Sequence, residues 1–122
     1  MKELLIINMS ILFMLYISGC YYDVEEELYP STGCDLVEIS YANDIIPILE
    51  KRCYSCHNTQ ANFGNVTLEG FIEISKYTNN GSLIGSIKHI PGFSAMPKNQ
   101  SKLIQCEIEK IETWINDGAL NN

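Results

Sequence analysis

Residues 53 to 57 read Cys-Tyr-Ser-Cys-His. Two thiols separated by two residues, with an imidazole directly after them, match the C-x-x-C-H pattern of covalent haem attachment. Each residue type has its own task in that chemistry. Cys53 and Cys56 add across the two vinyl groups of one haem and form two thioether bonds. The two-residue spacer suits one helical turn, so both sulfurs reach one edge of the porphyrin. His57 follows at once and offers a ring nitrogen to the iron. A random shuffle of this composition produces the pattern roughly 0.3% of the time. The competing readings are a CxxC with an incidental histidine, either redox-active or half of a zinc site.

A low-spin haem for electron transfer needs a second protein ligand. Methionines 1, 9 and 14 lie in an N-terminal segment that reads as an export signal. Beyond it the chain contains one methionine, Met96, and one histidine besides His57, namely His89. Met96 sits in an irregular stretch, Gly92-Phe93-Ser94-Ala95-Met96-Pro97. A loop of this kind can carry a thioether across to the far face of the ring, and Pro97 stiffens the backbone behind it. Met96 is therefore the expected axial ligand beside His57. A core-packing role is the alternative for a lone methionine, but this one is not on an apolar helical stripe. His89 is the rival ligand. Its other role is that of a partly exposed histidine ending a short helix, where a cation suits the dipole.

The N-terminus carries the targeting information. Lys2 gives a weak positive start, and Leu4 to Ile17 is apolar except for Asn8 and Ser10. That stretch is short for a membrane span and has the length of a signal core. Ile17-Ser18-Gly19-Cys20 then resembles a bacterial lipobox, with cleavage before Cys20 and lipid on its sulfur. An uncleaved N-terminal anchor is the alternative. Either way the chain is exported and held at a membrane, on the periplasmic face or the outer surface. The expected organisation is a signal peptide over 1–19, a lipid-anchored tether over 20–33 and one small domain over 34–122. The acids Asp23, Glu25, Glu26 and Glu27 read as a solvated linker or as an outer-surface export signal.

The remaining cysteines can be assigned by count. Cys20 goes to lipid, and Cys53 and Cys56 go to haem. Cys34 and Cys106 are left as an even pair in an oxidising compartment, so a disulfide between them is expected. It closes a loop of about 70 residues, for which loop entropy gives about 4 kcal/mol as an upper guide. A four-cysteine zinc site from Cys34, Cys53, Cys56 and Cys106 is the competing idea, and it leaves His57 without a purpose. The formal charge is −7. No basic stripe exists, so nucleic acid is not an expected partner. Acidity fits docking to a basic patch on a redox partner, and equally fits plain solubility.

These residues must be positioned by helices. Ile45, Ile48 and Leu49 repeat at helical spacing and predict a first helix over 43–52, with Asn43 or Asp44 as N-cap and Pro47 in its first turn. That helix runs into Cys53. A loop over 58–66 follows, then a helix over 69–78 using Phe71, Ile74 and Tyr77. Asn79-Asn80-Gly81 is a turn, and Ser82 is expected to cap a short helix to about Lys88. Residues 89–103 are irregular. The last helix is expected over 105–117, with Ile108, Ile111, Trp114 and Ile115 on its apolar stripe and Gly118 as its stop. No strand pattern is present, so the domain is expected to be all-α.

Taken together, the first helix, Cys53-x-x-Cys56-His57, Met96-Pro97 and Glu112-Thr113-Trp114-Ile115 resemble a class I c-type cytochrome. The likeness covers about 41–118. It is closer still to small lipoprotein cytochromes of Bacteroidetes-type bacteria, through Gly85-Ser86-Ile87-Lys88-His89, Met96-Pro97 and the ending Trp114-Ile115-Asn116-Asp117-Gly118-Ala119. Those proteins also carry cysteines at positions matching Cys34 and Cys106. The resemblance implies three to five helices wrapped around one haem c. It also implies that Ile45, Ile48 and Trp114 meet where the first and last helices cross beside it. Many class I members have a proline after the haem motif whose carbonyl orients the proximal histidine. Here no proline lies between His57 and Pro91, so another carbonyl, near 62–68, must orient His57. The implied function is electron transfer, not enzymatic catalysis, with haem or copper proteins as redox partners. A haem-based sensor or small-ligand binder with a displaceable Met96 is the alternative.

Overall fold

The computed structural model describes residues Gly33–Asn122. The expected signal peptide, Cys20 and all of the tether except Gly33 lie outside the described residues. The first helical run opens at Ser40. Its hydroxyl accepts from the Asn43 N–H at 3.2 Å, and the Asp44 carboxylate accepts from the Ser40 N–H at 3.0 Å. This reciprocal bonding follows the logic of a capping box. The sequence places the cap at Asn43 or Asp44; the structure moves it to Ser40, because both later residues serve as partners inside the first turn.

Tyr41–Ile45 wind as a wide π-helical turn, and α1 (Ile46–Arg52) continues it. Pro47 explains the width. Its ring crowds the carbonyl four residues back and it has no N–H to offer that carbonyl, so a turn bonded over five residues relieves the crowding. The N–H groups of Ile45 and Ile46 accordingly bond the carbonyls of Ser40 and Tyr41. α1 ends at Arg52, where Cys53 takes φ −123° and gives its N–H to the Leu49 carbonyl at 2.8 Å. α2 (Tyr54–His57) follows immediately. After a short 3-10 turn at Phe63–Asn65 come α3 (Phe71–Asn79), α4 (Ser82–Ile87) and α5 (Gln105–Asn116). Among the described residues there is no strand, in line with the all-α expectation.

Two further boundaries differ from expectation. α3 starts at Phe71 and not at 69, because Gly70 has φ 91° and cannot sit inside a helix. Ser82 does not cap α4. It is already helical, and Asn80 Oδ1 accepts from its N–H at 2.9 Å and its hydroxyl at 2.6 Å. The end of α5 is as expected. Gly118, at φ 100°, gives its N–H to Ile115, and Ala119 gives its N–H to Trp114 at 2.8 Å. That pair of bonds closes the helix as a Schellman motif, which needs the left-handed residue that glycine adopts without steric cost.

Trp114 is the centre of the core. It is fully buried, and its indole stacks on Tyr41 with ring centroids 5.4 Å apart. Tyr41 in turn meets Phe71 of α3 edge-on at 5.2 Å. The indole N–H donates to the Leu120 carbonyl at 2.9 Å, so burying the ring leaves its polar atom paired. Ile45, Ile48, Leu49, Ile74, Ile108 and Ile111 complete the same apolar cluster. Cys34 and Cys106 are bonded, with sulfurs 2.06 Å and Cα atoms 5.5 Å apart. This joins the segment before Ser40 to the first turn of α5. It also removes two of the four ligands that a four-cysteine zinc site would use. No helix among the described residues is long and apolar enough to cross a membrane.

Two outcomes follow from this packing. The Tyr41 hydroxyl is buried with no hydrogen-bond partner of proper geometry among the described residues. Burial raises its pKa, and the neighbouring Tyr54 phenol opposes that rise only in part. An unsatisfied buried hydroxyl costs about 1–3 kcal/mol, so Tyr41→Phe should raise stability by about 1 kcal/mol in urea denaturation. A loss of stability would mean that the hydroxyl has a partner. Asp44 gives the second outcome. Its carboxyl is held below the usual range, first by the Lys110 ammonium at 2.6 Å and then by the Ser40 N–H. The Lys110 and Asp44 side chains are only 24% and 23% exposed, so the pair is partly shielded from solvent. A depressed folded-state pKa gives stability that is full above the ordinary carboxylate value and is lost as pH falls through the lower folded value. Asp44→Asn should cost about 1 kcal/mol at neutral pH. The gap between the two chains should shrink in acid, and a gap independent of pH would refute the ion-pair assignment.

Candidate functional site

Five segments converge on a cavity of about 530 Å³, α3 contributing only Tyr77. The end of α1 and α2 bring Arg52, Cys53, Cys56 and His57. The 3-10 turn and the strand-like residues after it bring Phe63, Val66 and Leu68. α4 brings Leu83, Ser86 and Ile87, and the 92–103 segment brings Phe93, Met96, Pro97 and Leu103. The walls are mainly aliphatic and aromatic, and the size lies within the roughly 300–1,000 Å³ usual for cofactor and ligand sites. All four residues singled out for the haem site in the sequence, Cys53, Cys56, His57 and Met96, line this one chamber. His89, the rival ligand, does not.

His57 is held from two sides by the loop that follows it. Its carbonyl accepts from the Leu68 N–H at 2.8 Å, and its ring Nδ1 lies 3.1 Å from the Val66 carbonyl. A carbonyl can only accept, so Nδ1 carries the hydrogen. The ring orientation is thereby set and Nε2 is left with a lone pair and no protein hydrogen bond among the described residues. Val66 falls inside the 62–68 window expected for the orienting carbonyl. The loop itself is braced. Asn58 Oδ1 accepts from the N–H groups of Gln60 and Ala61, and the Glu69 carboxylate accepts from the N–H and hydroxyl of Thr59.

Cys53 and Cys56 are both free thiols. Burial pushes the Cys53 thiol up to about 11, with the Glu107 carboxylate adding to the rise and the Arg52 guanidinium opposing it. Reactive cysteines of thiol–disulfide catalysts show the opposite shift, because they work as thiolates. The Arg52 Nε–H reaches both Glu107 carboxylate oxygens, at 3.0 and 2.9 Å. This contact pins the residue before Cys53 to the start of α5, and nothing in the local sequence around Arg52 announces it.

Met96 is fixed by its backbone. Its N–H donates to the Ser86 carbonyl at 3.1 Å, and its own carbonyl lies 2.9 Å from His89 Nε2. The loop before it lies on α4 at Gly85, where an added Cβ would come within 2.5 Å of Phe93 ring carbons. The signal for that contact was a glycine inside the apolar run Ser82-Leu83-Ile84-Gly85-Ser86-Ile87, a common mark of close approach. Compared with known protein families, curated proteins and solved structures, the chain matches none.

The Gly85–Phe93 contact predicts a change of sign. Gly85→Ala should destabilise the chain by about 1–3 kcal/mol through overpacking. In a Phe93→Ala background the same substitution should stabilise it by up to about 1 kcal/mol, the ordinary helix preference for alanine over glycine. A double-mutant cycle by urea denaturation measures both, and equal effects in the two backgrounds would remove the contact from the account.

Proposed function

We propose that this chain is an exported, membrane-tethered electron carrier holding one covalent haem c. The observation that carries the reading is the convergence of Cys53, Cys56, His57 and Met96 on one apolar chamber. The resemblance of these motifs to class I c-type cytochromes points the same way. The residues fit the group in kind. Two unpaired thiols stand on the wall with an imidazole whose Nδ1 is already committed to Val66. A thioether comes from a separate segment.

In this reading Cys53 and Cys56 would hold the haem covalently, through thioether bonds to its two vinyl groups. His57 would offer Nε2 to the iron, and the Val66 carbonyl on Nδ1 polarises the ring and raises its basicity. Met96 would supply the second ligand to the iron. The aliphatic walls keep water away and lower the local dielectric, which disfavours extra positive charge in the chamber. When bound, the haem supplies one-electron transfer between its ferrous and ferric states, with His/Met ligation favouring the reduced one. With both His57 and Met96 committed to the iron, the site would suit a relay and not a catalyst. The tether, the lipid on Cys20 and acidic attraction to a haem or copper protein partner complete the proposal.

The chain produced with haem-maturation machinery tests it. Mass spectrometry should find one haem on the peptide containing residues 53–57, and Cys53→Ala or Cys56→Ala should remove one thioether. Met96→Ala should lower the reduction potential and open the ferrous protein to carbon monoxide. A haem-free wild-type peptide would end the reading. Rapid carbon monoxide binding to the wild type would favour a sensor over a carrier.

A further inference from the structure

His89 makes a contact that its place after a short helix does not require. It stands at φ 56°, in the left-handed region that favours glycine. A glycine there would relieve the backbone, yet the chain keeps an imidazole. That imidazole places Nε2 at 2.9 Å from the Met96 carbonyl. The carbonyl accepts, so Nε2 carries the hydrogen and donates. The Met96 N–H is bonded to the Ser86 carbonyl, which also takes the His89 N–H at 3.2 Å. Both backbone polar groups of Met96 are therefore anchored to the C-terminal end of α4. The residues between them, Ile90 to Ala95, are exposed. The loop is otherwise held to α4 by the Phe93 ring on Gly85 and by the Ile90 N–H on the Gly85 carbonyl at 2.9 Å, so the two Met96 bonds are the ones that act at Met96 itself.

We propose that His89 is the positioning residue for Met96, fixing the thioether at the cavity through its side-chain donor. The proposal rests on Met96 being the axial ligand for its functional consequence, but the contact itself does not. A thioether is a weak ligand, so its hold depends on how firmly its backbone is placed before it binds. With the anchor lost, Met96 should leave the iron more often and expose it to exogenous ligands.

Three substitutions separate the donor from the backbone. His89→Phe keeps a ring and the strained backbone but removes the donor. His89→Gly removes both donor and strain. His89→Gln keeps a side-chain N–H at similar reach. Two readouts apply: carbon monoxide binding with the thioether-to-iron absorption of the haem protein, and hydrogen exchange of the Met96 amide. Loss of one hydrogen bond should raise the Met96-open fraction about two- to tenfold in the Phe and Gly variants. The Gln variant should stay near wild type in both readouts. Wild-type behaviour of the Phe and Gly variants would overturn the proposal, and so would a Gln variant as perturbed as the Phe one. If the wild type carries no haem on residues 53–57, the electron-carrier reading fails. The amide exchange comparison still decides the role of His89.

Discussion

The geometry around Cys53 depends on how the first helical run is clamped to α5. Three contacts do this along its length. Tyr41 stacks on Trp114, Asp44 pairs with Lys110, and Arg52 grips Glu107. The apolar contact supplies most of the attraction, because an indole buried among aliphatic groups is worth several kcal/mol, about 3–5 by truncation. The two ion pairs add less energy but set the register. With Arg52 held, the next residue, Cys53, has one place to be. The chamber wall that carries the thiols is thus an outcome of core packing some distance away.

Loops complete the chamber in a consistent manner: a backbone carbonyl is offered to a histidine ring. Val66 accepts from His57, and Met96 accepts from His89. In the first case the hydrogen bond frees the far nitrogen of the ring. In the second it uses Nε2 itself and holds the loop. The same side chain therefore serves two ends, and what separates them is which ring nitrogen faces the carbonyl. This is why His89, which is chemically able to bind a metal, stands outside the cavity lining while His57 stands within it.

Much of the fold was legible along the chain. The apolar spacing of Ile45, Ile48 and Leu49, and of Ile108, Ile111 and Trp114, located the outer helices to within a few residues. Gly118 marked the end of the last one, because the required left-handed residue is local. The caps were less legible. Asn43, Asp44 and Ser40 are all able to cap, and only the bonds they make decide among them. The same is true of Ser82, whose hydroxyl is satisfied by Asn80. The pairing of Cys34 with Cys106 could be expected from the cysteine count, and the structure bonds them.

The sequence by itself determined which chemistry was available. Residue type and short spacing are local properties, so Cys53, Cys56 and His57 declared a possible haem attachment before any fold was known. By elimination Met96 became the expected second ligand. The tertiary structure decided the rest. It put Met96 on the same cavity as His57, made Val66 the carbonyl that orients that histidine, and turned His89 from a rival ligand toward the backbone of Met96. Contacts between residues far apart in the chain, such as Arg52 with Glu107, are set by packing, and packing is a property of the whole chain that no short pattern encodes.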